Sequence, residues 1–203
     1  METSSGIKRK NDLDYFENPI DNKILKVIPE QNKNSLCHIK NNEGDNSIGF
    51  FCVIPFINNN NLLPILVLNN ANFKENTINK IFITLCNNKK NTITSETSEI
   101  IIDNKRKIFL DEEINISFIE IKDKDNIDKN LFLFLDEKNF NDDLEKELLN
   151  KQIYLIYYLE NNYSDYTTGI IKKINKQKKY FEFISKNRLS SSGYPIFNFN
   201  NSI

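Results

Sequence analysis

The sequence predicts an all-β protein, and three observations carry that prediction. Short runs rich in β-branched and aromatic residues recur from Leu36 onward. Clusters of Asn, Asp, Lys and Gly separate them, as turns between strands require. Only one stretch carries a helical apolar period. Many short strands punctuated by turns argue for a sandwich or a barrel.

In chain order, residues 1 to about 34 are polar, lack a sustained apolar period, and read as a flexible or loosely attached arm. The first set of expected strands is Leu36–Lys40, Ile48–Pro55, Ile65–Asn70, Lys80–Cys86, Glu99–Asp103 with Lys107–Leu110, and Ile116–Ile121. A second set comprises Leu131–Leu135, Gln152–Leu159, Thr167–Ile174, Tyr180–Ser185 and Tyr194–Phe199. Between Leu135 and Gln152 lies the exception. Leu144 and Leu148 stand one helical turn apart, Asn141 suits an N-cap, and Asp142 and Asp143 suit the positive end of a helix dipole. A short helix is expected here, as a connector between two β halves.

Composition narrows the function classes. With 27 basic and 28 acidic residues the net charge is -1, so nothing points to nucleic acid or an anionic membrane. The Lys8-Arg9-Lys10 cluster reads as a solvated tail before it reads as a nuclear signal. No apolar run approaches the ~20 residues of a membrane span, and no signal-peptide core is present, so a cytoplasmic or nuclear protein is expected. Cys37, Cys52 and Cys86 are odd in number and lack metal-ligand spacing; buried thiols are expected, with no metal and no cofactor. The Asn-rich stretches, such as Asn58-Asn59-Asn60-Asn61, read as compositional drift without chemistry.

Several motifs, in order, resemble the trypsin-like serine peptidase family. Ser47-Ile48-Gly49-Phe50-Phe51-Cys52 resembles the GSGFFC strand that opens that family's first barrel. Leu62 to Phe73 resembles the run LLPVLITNNHVL, which places Asn69-Asn70-Ala71 on its Asn-Asn-His. Asn115-Ile116-Ser117-Phe118-Ile119-Glu120-Ile121 is similar to DITIIEI, and Ser190 to Ile196 to the nucleophile loop GSSGSPI. Gly169-Ile170-Ile171-Lys172 resembles a strand of the second barrel. The resemblance spans about residues 35 to 199.

What the resemblance implies is a double Greek-key β-barrel: a first barrel over 35–138, a linking helix over 139–151, and a partial second barrel over 152–203. It also implies a serine–histidine–aspartate triad, in which histidine takes the serine proton and aspartate orients the imidazole. Residue by residue, that triad is degenerate here. The nucleophile position is kept as Ser192, followed by Gly193. The histidine position is Ala71 and the aspartate position is Asn115, neither of which titrates. Losing base and orienter together removes on the order of 10⁶-fold in rate.

The oxyanion position two residues before the nucleophile is Ser190 where the family has glycine, so the backbone freedom that aims its N–H is reduced. Ser192 supplies the second oxyanion-equivalent N–H. Tyr194 replaces a small residue; it either fills substrate space or points to solvent. The family carries further strands after this loop, so the short tail after Ser192 suggests either a fragment or an open sheet edge.

Other bases are weaker candidates. A Ser–Lys dyad would draw on Lys172 or Lys186, and surface lysines are common. His38, the one histidine, reads as an ordinary strand residue, and Asp142 with Asp143 as capping charge. The expectation is therefore an inactive serine-peptidase homologue that binds a peptide or protein partner. A weakly active hydrolase built on Ser192, and a truncated or decayed product, are the alternatives.

Overall fold

The computed structural model describes residues 34–55, 62–69, 79–85, 97–134, 147–158, 164–175, 180–185 and 194–198. These form twelve strands in two sheets, antiparallel apart from the short pairing of β8 with β2. The first set is β1 (Leu36–Asn41), β2 (Asn46–Pro55), β3 (Leu62–Asn69), β4 (Lys80–Leu85), β5 (Thr97–Ile101), β6 (Ile108–Asp111), β7 (Ile116–Glu120) and β8 (Leu133–Phe134). The second set is β9 (Gln152–Tyr158), β10 (Ser164–Asn175), β11 (Tyr180–Ser185) and β12 (Ile196–Asn198). The all-β expectation holds.

The first sheet runs β5-β4-β1-β2-β3-β7-β6. Its two ends, β5 and β6, are successive in sequence. β5 pairs with β4 and β6 with β7, so one bent run of chain joins the ends and closes the ring into a barrel. Arg106 sits at the bend and is buried. Its Nε donates to the Ile101 carbonyl at the end of β5 (2.8 Å) and its Nη1 to the Glu120 carbonyl at the end of β7 (2.6 Å). The same guanidinium holds Asp125 in a two-pronged pair, at 2.7 and 2.8 Å. Asp125 in turn accepts the Lys122 N–H at 2.7 Å and fixes the 3-10 turn Asp123–Asp125. Five donors in one plane make such a bridge possible, which a lysine cannot copy.

Strand alternation sorts the side chains of this barrel. Cys37, Ile39, Phe51, Leu66, Leu68, Ile81, Ile83, Ile100 and Ile119 point inward to one core, closed at one end by Phe132, whose ring lies 5.4 Å from that of Phe51. The continuous apolar run of β2 has a reason in this: its outward residues are covered too, Ile48 and Phe50 half-buried against the second sheet and Cys52 buried in a separate cluster. Gly49 is required by close approach. A Cβ there would lie 2.6 Å from the Val67 carbonyl oxygen, so β3 could not pair at this register. Gly169 plays the same part in the second sheet, 2.7 Å from the Ile184 carbonyl oxygen.

The second sheet runs β11-β10-β9-β12, with a bulge in β10 between Ile171 and Lys173. One of its faces carries Ile153, Leu155 and Ile171, with Leu148, Phe181 and Phe183 against them. The other carries Tyr154 and Ile156, which pack on Leu36, Ile48 and Phe50 of the first barrel. Four strands are present among the described residues, where the resemblance implies a fuller barrel.

Two expectations need adjustment. The strand expected over Leu131–Leu135 begins as the 3-10 turn Lys129–Leu131 and contributes only Leu133 and Phe134, in parallel with Cys52 and Val53. Asp128 caps that turn by accepting the Asn130 N–H, which favours a turn over a strand. Of the expected linking helix, Glu147 and Leu148 are helical and Asn150 ends the segment in a left-handed conformation (φ 63); residues 141–146 lie outside the described ones. Expected strand ends at Asn70, Cys86, Leu159 and Phe199 also fall outside them.

Removing one partner of the ring closure leaves a buried charge uncompensated, so Asp125→Ala should cost about 3–5 kcal/mol in denaturant unfolding at pH 7. Burial alone would raise the Asp125 carboxyl, but the Arg106 hydrogen bonds, the Lys122 N–H and the Arg106 charge outweigh it and hold it below the ordinary value. A depressed carboxyl stabilises the fold fully above the unfolded value of about 4, and that stability is lost as pH falls through the folded value. Denaturant midpoints measured from pH 6 to pH 2 should fall steeply in the native chain and less so in Asp125→Ala.

Candidate functional site

The end of the barrel where β3 stops and β7 starts is built by a turn. Asp111 accepts the N–H groups of Glu113 (3.1 Å) and Ile114 (3.2 Å), which reverses the chain after β6. Asn115 then takes a left-handed conformation (φ 58), one that asparagine tolerates better than most residues, and the chain enters β7 at Ile116. Ile116 pairs with Asn69, the last residue of β3. Across that rung the Asn115 side-chain amide donates to the Asn69 side-chain oxygen at 3.1 Å. The residue at the expected orienting position is thus brought to the strand end that leads toward Ala71, with one of its two amide N–H donors bonded to a second carboxamide.

Ala71, Ser190, Ser192 and Gly193 lie outside the described residues, as do Lys186, Asp142 and Asp143. Tyr194, on the far side of the loop, is described. It is half-buried, its ring meets Tyr157 edge-on at 6.3 Å, and it packs with Leu36, Tyr154 and Ile156. Pro195 beside it is buried, and Tyr154 stacks on Phe197 at 4.9 Å. The chain following Ser192 is therefore pinned into the contact between the two sheets. Of the two readings of Tyr194, full exposure to solvent does not hold.

The alternative bases are located as follows. His38 lies on β1, opposite Ile48 of β2 and Thr84 of β4. Ile48 is one step past the pair Gly49–Leu68, at the level of Asn69, so two strand spacings of about 5 Å separate the imidazole from Asn69. That is beyond hydrogen-bonding distance. Burial pulls the His38 imidazole below its ordinary value. The Lys172 ammonium lies 3.5 Å from the Asn150 side-chain oxygen. Among the described residues no three His, Cys, Asp or Glu side chains converge to hold a metal. No helix among them is long and apolar enough to cross a membrane.

A concavity lies at the opposite end of the barrel. Leu62, at the start of β3, is seven residues from Asn69, about 23 Å along the strand. There a groove of about 980 Å³ is lined by Val53, Leu62, Pro64, Ile127, Phe132 and Phe134, with charged residues at its margin. It shares no residue with the Asn69–Asn115 end.

Sequence reasoning passed over Arg106 and Asp125, which set the shape on which the site depends. A signal was present: only three of the 27 basic residues are arginine, so an arginine in so lysine-rich a chain marks a place where a planar fork is needed.

Comparisons with known proteins bear on the fold. No family model matches the sequence, and no curated protein does. Among solved structures the chain is similar to Deg5, a trypsin-like HtrA protease, with a TM-score of 0.53 at 11% identity; the match covers 95% of this chain and 83% of Deg5. At that identity the likeness is one of fold. Together with the closed first sheet and the second sheet packed beside it, it defines an all-β, trypsin-like architecture.

Two measurements check this geometry. Asn115→Ala should destabilise by about 1–3 kcal/mol, from left-handed strain of ~1–2 kcal/mol plus a lost exposed hydrogen bond, whereas Asn115→Gly should recover most of the strain component. An imidazole held neutral by burial is protonated first in the unfolded chain. Stability should therefore drop as pH falls below about 6.5, and His38→Gln should flatten the unfolding midpoint between pH 7.5 and pH 5.5.

Proposed function

We propose that the chain is an inactive serine-peptidase homologue that holds a peptide or protein partner at the former cleft or at an edge of the second sheet. The observation that carries the reading is the Asn69–Asn115 carboxamide pair, at the strand end that leads to Ala71. A working triad needs a proton acceptor and an anionic orienter beside the nucleophile. Here a methyl group stands at the first position and a neutral amide, already bonded, at the second. Ser192 then remains an ordinary alcohol with no base.

A binding role is supported by what is retained. Gly49 and Gly169 keep the strand approaches that build both sheets, and Arg106 keeps the barrel closed. A chain drifting without function has no reason to keep a buried two-pronged ion pair. The open edges of the second sheet, β11 and β12 among the described strands, offer backbone groups that an extended peptide can pair with.

A fluorophosphonate probe tests inertness. Full-length protein should show no stoichiometric labelling of Ser192 over hours; fast labelling, abolished by Ser192→Ala, would favour the weakly active hydrolase. A cooperative unfolding transition is expected, and its absence would favour a decayed product. Restoring Ala71→His with Asn115→Asp should raise probe reactivity at least 100-fold if the surrounding site is otherwise intact.

A further inference from the structure

The groove end of the first barrel is underfilled. Side chains two apart on a strand share a face, so the core residues Phe51, Leu66 and Ile119 are followed toward this end by the inward positions Val53, Pro64 and Ile121. In a small barrel each such layer is filled by side chains. Here Val53 is paired with Pro64, and both side chains are short. The hollow left beside the buried Phe132 is the groove of about 980 Å³. That is the upper end of the ~300–1,000 Å³ typical of ligand sites. At its lip Leu62 is 52% exposed and Phe134 71% exposed. An aromatic ring left in water beside an apolar hollow marks a contact surface.

Charge at the margin selects the occupant. Glu120 is already engaged: its carboxylate accepts the Lys107 N–H at 3.0 Å and lies 3.8 Å from the Lys122 ammonium, which also donates to the Lys105 carbonyl at 2.7 Å. Asp123 and Asp128 remain. Both are exposed, and neither forms an ion pair among the described residues. They stand at successive 3-10 turns, Asp123 opening the first and Asp128 capping the second through the Asn130 N–H. Lys129 is the opposing charge at this margin, so two carboxylates face one ammonium and the balance is negative.

The geometry points to a docking site for a peptide segment of another protein, in which apolar side chains are flanked by lysine or arginine. The apolar residues enter the hollow beside Phe132 and Phe134. The two basic ends meet Asp123 and Asp128, whose separation on two turns suits separated cations joined by an apolar stretch. An acidic peptide meets like charge there. The site lies at the far end of β3 from Asn69 and Asn115 and needs nothing from Ser192, so it stands apart from the inert-peptidase reading.

Fluorescence anisotropy with the full chain and the labelled peptide Lys-Leu-Phe-Leu-Lys tests it. Saturable binding is expected, about 10-fold tighter than for the same peptide with glutamate in place of both lysines. Phe134→Ser should weaken binding about 10-fold with an unchanged unfolding midpoint, because that ring is exposed in the free chain. Asp123→Asn with Asp128→Asn keeps a capping oxygen at the second turn and should weaken binding about 5-fold. No saturable binding, equal binding of the acidic peptide, or binding indifferent to Phe134→Ser overturns the proposal; the last places the peptide elsewhere, the former cleft included. A dimer in sedimentation that Phe134→Ser dissolves assigns the groove to a second copy of the chain and also overturns it.

Discussion

One guanidinium braces the bend at which the first sheet curls back on itself. Arg106 lies at the bend between β5 and β6, and its bonds reach the end of β5, the end of β7 and the turn that carries Asp125. The chain itself joins the two ends of the sheet, and this bridge fixes the angle at which they meet. The cost of burying the charge is met by a carboxylate and two carbonyls, so every donor aimed inward finds an acceptor. The position of β7, and with it of Asn115, follows from this closure.

From the barrel the constraint passes to the site. β7 pairs with β3 in a register that sets Ile116 against Asn69, and the Asp111 turn then leaves Asn115 one residue short of the ladder. On the other side, Tyr154, Ile156, Phe197 and Tyr194 fasten the second sheet to Leu36, Ile48 and Phe50. The two sheets are thus positioned by different forces: an ion pair and backbone bonds for one, aromatic packing for the other.

Much of this was legible in the sequence. Strand positions followed from β-branched and aromatic runs, and observed ends fall within about three residues of the expected ones for most strands. The segment at 131–135 was misread because apolar content does not distinguish a strand from a capped 3-10 turn; the Asp128 cap decides it. The neutral character of Ala71 and Asn115 needs no coordinates. What the sequence could not show is the partner of Asn115, since Asn69 lies 46 residues away.

By itself, then, the sequence determined the chemistry available: which positions titrate, which do not, and where chain can form strands. Those properties are local, fixed by each side chain and its near neighbours. Only the tertiary structure decided that Arg106 bridges two ends of a sheet, that Tyr194 enters the contact between sheets, and that Asn115 meets Asn69. Each depends on groups distant in sequence meeting at angstrom distances, and such meetings arise from chain closure and packing together.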